Sequence, residues 1–374
     1  MKTLLLTALM CFTFIISGCG GSSNTSSNTP APVENTVTVE NIPPVENNSE
    51  EIETVAQVEE TPEVKENNST AEAAPKTKNQ VKGDLKITML NVGQGDAFLI
   101  QTKTQNILID TSDTDERTKL VNELDKAGVT KIDKVILTHP HADHIGGLEK
   151  LLKDSKYTVN EVYDNGIAST SKLYLNYMKE IKNQSIKHGT LTVGDVLDFG
   201  GGVNFEVLYP TKDLVKSVND GKKKTDPNNE SIVGRLVYKK FSVMFTGDAE
   251  KEVESNIWAD NDAKKLQSTI LKAGHHGSYT ASTENFLQTV KPQYVLISAG
   301  EPTDKRGGNT YGHPHREPLE NYLASGIPSK NIFWTWKNGT VVIVSDGKDF
   351  SVTPEIEEDW VKQWIAEKKK SSKK

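Results

Sequence analysis

Residues 138–147 read THPHADHIGG, which places His139, His141, Asp143 and His144 within six consecutive residues. The preceding KVIL is an apolar run of strand character, and the following IGGLEKLLKD has helix periodicity. Four ligand-type side chains therefore stand where a strand ends and a helix begins, facing the crevice above an open α/β sheet. His139 and His141 are two apart on extended chain and can face one side. Asp143 and His144 begin the next turn. Imidazole nitrogens with carboxylate oxygens, and no cysteine, suit zinc, manganese or iron. A structural zinc site closes on Cys and His ligands, whereas a mixed His and Asp set suits an open, catalytic site.

Outward from this stretch, strand-like and helix-like segments alternate. LKITMLNVG, DAFLIQT and NILIDT read as strands, TDERTKLVNELDKAG as an amphipathic helix stopped by glycine, and KVILTH as a strand. VNFEVLYP, SIVGRLVYKK, FSVMFTGDA, STILKAGH and QYVLISAG continue the strands; EKEVESNIW, STENFLQTVK and HREPLENYLASG are helical. NIFWTWKNGTVVIVSDGKDFSVTP reads as closing β-hairpins. KHGTLTVGD, which carries His188, reads as a surface loop, and Gly93, Gln94, Gly95 and Asp96 as a tight turn beside the site. This mixture predicts an α/β domain over 83–355 with two sheets covered by outer helices, followed by an exposed terminal helix and basic tail over 356–374.

The 374-residue chain is long enough for a large core, and its formal charge of −7 is unevenly placed. Residues 20–82 hold eleven Glu, no Asp and four Lys, so they account for −7, and Lys2 is the one charge in residues 1–19. The rest, 83–374, sums to −1, so bulk charge neither demands nor forbids a polyanionic partner. Residues 20–82 have no aromatic residue and read as a disordered acidic tether of Ser, Asn, Pro and Glu. MKTLLLTALMCFTFIISGC has a charged start, an apolar stretch and small residues before Cys19. Ile16–Cys19 resembles the lipobox of bacterial lipoproteins. That resemblance implies cleavage before Cys19, lipid attachment there, and anchoring to the outer, extracytoplasmic face of the bacterial membrane.

HPHADH resembles the HxHxDH signature of the metallo-β-lactamase fold superfamily. LNVGQGDAFLIQT, ILIDTS, VILTHPHADHIGGL, FTGDAE, LKAGHHGS and NTYGHPH, in that order, resemble one branch of it, the extracytoplasmic hydrolase domain of ComEC-type DNA-uptake competence proteins. The resemblance covers about residues 85–345. It implies an αββα sandwich of two mixed β-sheets and one or two divalent metal ions, zinc or manganese. His139 and His141 would hold one metal, Asp143 and His144 a second, with Asp248 bridging. One of His275 and His276 would be a further ligand; His275 is preferred, because neighbours on extended chain point opposite ways and the other would then meet substrate. Asp143, Asp248, His276 and His313 form the expected catalytic group. Asp110 has a supporting position, and Ser278 and His315 can reach substrate. One departure stands out: PNNESIV puts Asn229, Glu230 and Ser231 where the superfamily offers a further histidine, which implies a weaker first metal position and leaves Asn229 and Ser231 in supporting roles.

What this implies is a metal-assisted hydrolase that needs no serine or cysteine nucleophile, since a divalent cation acidifies water. The competence-type resemblance points to a phosphodiesterase or nuclease acting on DNA. A near-neutral domain argues against a nucleic-acid binder unless Lys222, Lys223, Lys224 and Lys272 build a local groove. Another surface substrate is the alternative: a choline-phosphate or teichoic-acid phosphodiester, a lactone or a β-lactam. A reading of a different class is a non-catalytic surface module that binds DNA or wall polymer. No protein partner is inferable.

Overall fold

The strands LKITM, FLIQ and NILI alternate side chains between two apolar environments, which only a sheet covered on both faces provides. The computed structural model describes residues 82–224, 226–305 and 308–371, all within the compact unit Pro75–Lys374. The signal segment, Cys19 and most of the acidic tether lie outside the described residues.

The first sheet contains β1 (Leu85–Met89), β2 (Phe98–Gln101), β3 (Asn106–Ile109), β4 (Lys131–Ile136), β5 (Thr158–Asp164) and β6 (Lys187–Thr190). The second contains β7 (Val196–Asp198), β8 (Val203–Tyr209), β9 (Val233–Tyr238), β10 (Phe241–Phe245), β11 (Ile270–Lys272), β12 (Tyr294–Ile297) and β13 (Ile332–Trp334). The chain then returns as β14 (Val341–Ser345) and β15 (Phe350–Pro354), so the sheet orders are β15-β14-β1-β2-β3-β4-β5-β6 and β13-β12-β11-β10-β9-β8-β7. Each sheet is mixed: β3 to β6 and β10 to β13 run parallel, the remaining pairs antiparallel.

Period-two alternation builds four layers. Phe98, Ile100, Phe241, Val243 and Phe245 meet between the sheets. Leu99 points instead to Leu120, Leu124, Leu148 and Leu151 of the helices outside the first sheet. Met244 points to Val253, Ile257, Phe286 and Leu319 outside the second. This is the αββα sandwich.

Three expectations are corrected. The segment 331–354 is not a set of hairpins: β13 pairs parallel with β12, and only β14 and β15 form a hairpin, on the other sheet. A one-turn helix, Thr335–Asn338, carries the chain across. The stretch around His188 forms two short edge strands, β6 and β7, rather than a loop. The terminal helix, Val361–Ser371, is not exposed on its inner side: Trp360, Val361 and Ile365 are buried in the core outside the second sheet. Trp360 Nε1 donates to Asn338 Oδ1 at 2.9 Å, and Trp364 Nε1 donates to the carbonyl of Pro314 at 3.0 Å. Among the described residues, no helix is long and apolar enough to cross a membrane.

Candidate active site

The ends of five strands bring the polar residues of both sheets to one edge of the sandwich. Asp110 follows β3, His139–His144 follow β4, Asp248 follows β10, Lys272 closes β11 ahead of His275 and His276, and Ser298 follows β12. The turn before β2 joins them: Asp96 N donates to the Asp143 carbonyl at 3.0 Å. Gly95 has φ 106, and a Cβ there would stand 2.2 Å from that same carbonyl, so only glycine permits the approach.

Asp248 Oδ2 is the centre of the cluster. It lies 3.2 Å from His144 Nε2, 3.3 Å from His276 Nε2, and 3.9 Å from both His139 Nε2 and His275 Nε2. Asp143 Oδ2 is 3.2 Å from His276 Nε2. His139 Nε2 is 3.0 Å from His141 Nδ1, which extends the cluster toward solvent. The far nitrogens are tied from behind. His144 Nδ1 donates to Asp110 Oδ2 at 2.8 Å, and His276 Nδ1 donates to the Ser298 carbonyl at 2.7 Å. His139 Nδ1 lies 3.2 Å from Thr138 Oγ1 and 3.3 Å from Ser231 Oγ. Asp110 is itself held by Thr138 N at 2.7 Å and Thr138 Oγ1 at 2.8 Å.

These donors fit a divalent cation. His144 Nε2 and His276 Nε2 are buried with no hydrogen-bond partner, and both face the two carboxylates. Two ligands at about 2.1 Å from one tetrahedral ion stand roughly 3.4 Å apart, close to the spacings around Asp248 Oδ2. One ligand atom from each of Asp143, His144, Asp248 and His276 lies within 4.8 Å of the others. Backing each imidazole through Nδ1 is how proteins fix the tautomer of a metal-ligating histidine.

Electrostatics point the same way. Burial opposes charge on His144, but Asp248, Asp110 and Asp143 outweigh it and hold the pKa well above the usual histidine range. For His276 burial is likewise outweighed, by Asp248 and Asp96. Asp248 stays well below the carboxylate range despite burial, through His144, His276 and Lys272. Asp143 is also lowered against burial, by His144 and His276. A divalent cation bound among these carboxylates would take the place of the imidazole protons they favour.

Two members of this site escape the sequence reading, which places Asp96 in a turn and Lys272 in a surface groove. Both are buried. Lys272 Nζ is 2.5 Å from Asp96 Oδ2 and 3.5 Å from Asp248 Oδ1, and it donates to the Gly247 carbonyl at 2.6 Å. The signal that betrays Lys272 is its setting: it ends an otherwise apolar strand, Ile270–Lys272, where no solvent face is available.

His275 and His276 exchange places relative to expectation. Their backbone is not extended, since both have left-handed φ, 47° and 54°. His276 enters the tight group, whereas His275 sits on the looser side, its Nδ1 3.2 Å from Glu250 Oε1 and 3.1 Å from Thr280 Oγ1. Where a third imidazole was missing, Asn228 rather than Asn229 lines the site; its Nδ2 is 3.4 Å from His275 Nε2. Asn229 Oδ1 instead accepts from Glu250 N at 3.1 Å. Ser231 Oγ accepts from Asp248 N at 3.1 Å.

The cluster floors a cavity of about 890 Å³ lined also by Gln94, Asp113, Ser278, His313 and His315. His313 is buried, stacked 6.0 Å from His276 and 5.6 Å from Tyr311 between ring centroids. Burial first, and then His276 and His275, push its pKa down to about 2, so it is neutral at ordinary pH. His315 does not reach the cluster: Nδ1 accepts from Tyr279 N and Nε2 donates to the Tyr311 carbonyl, both at 3.2 Å. Ser278 Oγ accepts from Thr280 N at 3.3 Å, a turn role at the cavity wall.

The model of the metallo-beta-lactamase superfamily matches residues 90–301, more than half of the chain. The chain belongs to the metallo-beta-lactamase superfamily. Over 274 residues it is 29% identical to ComE operon protein 3 of Bacillus subtilis, covering 68% of this chain and 32% of that protein. It is 28% identical over 247 residues to competence protein ComA of Neisseria gonorrhoeae, covering 66% and 30%. The chain thus matches about a third of the length of these relatives. Among solved structures, the metallo-beta-lactamase fold protein YhfI from Bacillus subtilis aligns with 67% of this chain and 96% of its own, at 14% identity and a TM-score of 0.41.

Proposed function

We propose that this superfamily hydrolase is a divalent-metal-dependent phosphodiesterase whose substrate is DNA. The observation that carries the reading is the convergence of four imidazole Nε2 atoms on one carboxylate oxygen, Asp248 Oδ2, at the floor of an open cavity. Competence proteins among the relatives supply the direction toward DNA. Asp143, His144, Asp248 and His276 would hold the metal, with His139 and His141 beside them as a weaker position. Bound there, zinc or manganese supplies Lewis acidity and a lowered pKa for water.

The chain's own residues do the rest. Asp143 and Asp248 orient the attacking water through their carboxylate oxygens, and Asp143, the more exposed of the two, faces the cavity. Asp110 and Ser298 fix the imidazole orientations from behind, so little reorganisation is needed as charge develops. Neutral His313 can donate a hydrogen bond at the cavity wall but has no proton to deliver as an acid near pH 7. We further propose that the enzyme works outside the cell membrane, held by lipid at Cys19.

The test is cleavage of a DNA oligonucleotide and bis-p-nitrophenyl phosphate with manganese or zinc added. Turnover lost in Asp248→Ala and His276→Ala, with metal content lost in parallel, supports the reading. Metal bound stoichiometrically with no turnover of any phosphodiester overturns it in favour of a binding module.

A further inference from the structure

Tyr279 and Tyr311 are 63% and 68% exposed, and both line the cavity above the Asp143–Asp248 cluster. Two large aromatic rings left open on the lining of one cavity mark a binding surface in a way that singly scattered exposed rings do not. Each is backed by another ring. Tyr311 lies 5.6 Å from His313 at an interplanar angle of 17°, so one of its faces rests on a buried imidazole. Tyr279 packs 5.0 Å from His315. His315 also ties the two loops together through its hydrogen bonds to Tyr279 N and the Tyr311 carbonyl. The rings are therefore held in place before any ligand arrives, which lowers the entropy cost of using them.

The charge of the cavity is the second observation. Among the described residues lining it there is no lysine or arginine, while Asp113, Asp143, Asp248 and Asp304 are present. Lys272, behind the cluster, is 1% exposed and already engaged by Asp96 and Gly247, and the ammonium of Lys368, beside Gly312, lies over the Trp364 ring 4.5 Å from its centroid. Among the described lining residues a polyanion meets carboxylates rather than cations, so affinity beyond the metal site has to come from uncharged faces. Nucleobases offer such faces; a polyol-phosphate backbone does not. Paired bases in a duplex are already stacked on one another, whereas unpaired bases are free to stack on protein rings.

We propose that Tyr279 and Tyr311 are specificity-determining residues that stack unpaired nucleobases beside the scissile phosphate and so direct the enzyme to single-stranded nucleic acid. This rests on the phosphodiesterase reading above and adds to it the form of substrate. The experiment is steady-state cleavage by the full chain, with manganese, of a single-stranded oligonucleotide, the matching duplex, and an abasic oligomer of the same length. Tyr279→Ala and Tyr311→Ala are each expected to raise KM for the single strand roughly 5- to 150-fold, the equivalent of about 1–3 kcal/mol per stacked base. The rise should fall on KM rather than kcat, and Phe at either position should restore it. The abasic oligomer should show the raised KM with the wild type, and the Ala variants should add nothing further. An abasic oligomer cleaved as well as the normal strand, or alanine variants with wild-type KM, overturns the assignment while leaving the phosphodiesterase intact. So does faster action on a polyol-phosphate wall polymer than on the single strand. No cleavage of any phosphodiester by the wild type sinks the parent reading, and this one with it.

Discussion

Lys272 shares its ammonium among Asp96 Oδ2, the Gly247 carbonyl and Asp248 Oδ1 inside a site built from four carboxylates, Asp96, Asp110, Asp143 and Asp248. Burial disfavours its charge, but Asp96 and Asp248 outweigh that and hold its pKa above the usual value. Removing one partner of a buried pair strands the other. Lys272→Met is therefore expected to destabilise the protein by about 3–5 kcal/mol in urea unfolding, with Asp96 deprived of its nearest cation. A loss below about 1 kcal/mol, the range of an exposed pair, would show that the pair is not desolvated. Histidines were legible in the sequence because their spacing on HPHADH has no packing explanation. Lys272 and Asp96 were not, because each draws its importance from the other, 176 residues away, which adjacency in sequence cannot reveal. His275 and His276 show the same limit in another form: two left-handed residues in succession overturn the alternation that an extended strand would impose.

At the level of elements, most strands were legible from β-branched and aromatic runs bounded by glycine, proline or aspartate. The terminal helix was misread because EIEEDWVKQWIAEKKK is charged on most of its positions, and the apolar stripe of Trp360, Val361, Trp364 and Ile365 needs Trp334 of the second sheet to explain it. Trp334 packs 5.0 Å from Trp360 and 5.1 Å from Trp364. Trp360→Ala is expected to cost about 3–5 kcal/mol and lower the thermal midpoint, as large-to-small changes in a packed core do. A midpoint unchanged within error would return the helix to the surface. On the first sheet's edge, His188 Nε2 meets Asp164 Oδ2 at 2.8 Å, and that hydrogen bond raises the histidine pKa against partial burial. A raised folded-state pKa gives stability that is fully present below the unfolded value of about 6.5 and is lost as pH rises through the folded value. His188→Gln should accordingly lose up to about 1 kcal/mol relative to wild type at pH 5.5, with the gap closing by pH 8.5. A gap that widens with pH contradicts the pairing.

At the scale of the molecule, two half-parallel sheets deliver their strand ends to one edge, and the chain gathers there residues separated by more than 150 positions in sequence. The near-neutral charge of residues 83–374 ceases to be an objection to a nucleic-acid substrate once the cavity is seen to offer rings and a cation site rather than a basic groove. Because the imidazoles and carboxylates at that edge are protonated or paired when metal-free, ion uptake should release protons and stabilise the fold together. The most direct measurement is the metal content of the purified protein after extensive desalting, by native mass spectrometry, for the wild type, Asp248→Ala and His276→Ala. Expected is at least one retained zinc or manganese in the wild type and none in either variant. A wild type that stays folded yet takes up neither ion, or variants that keep the wild-type content, would contradict a metal centre built on Asp248.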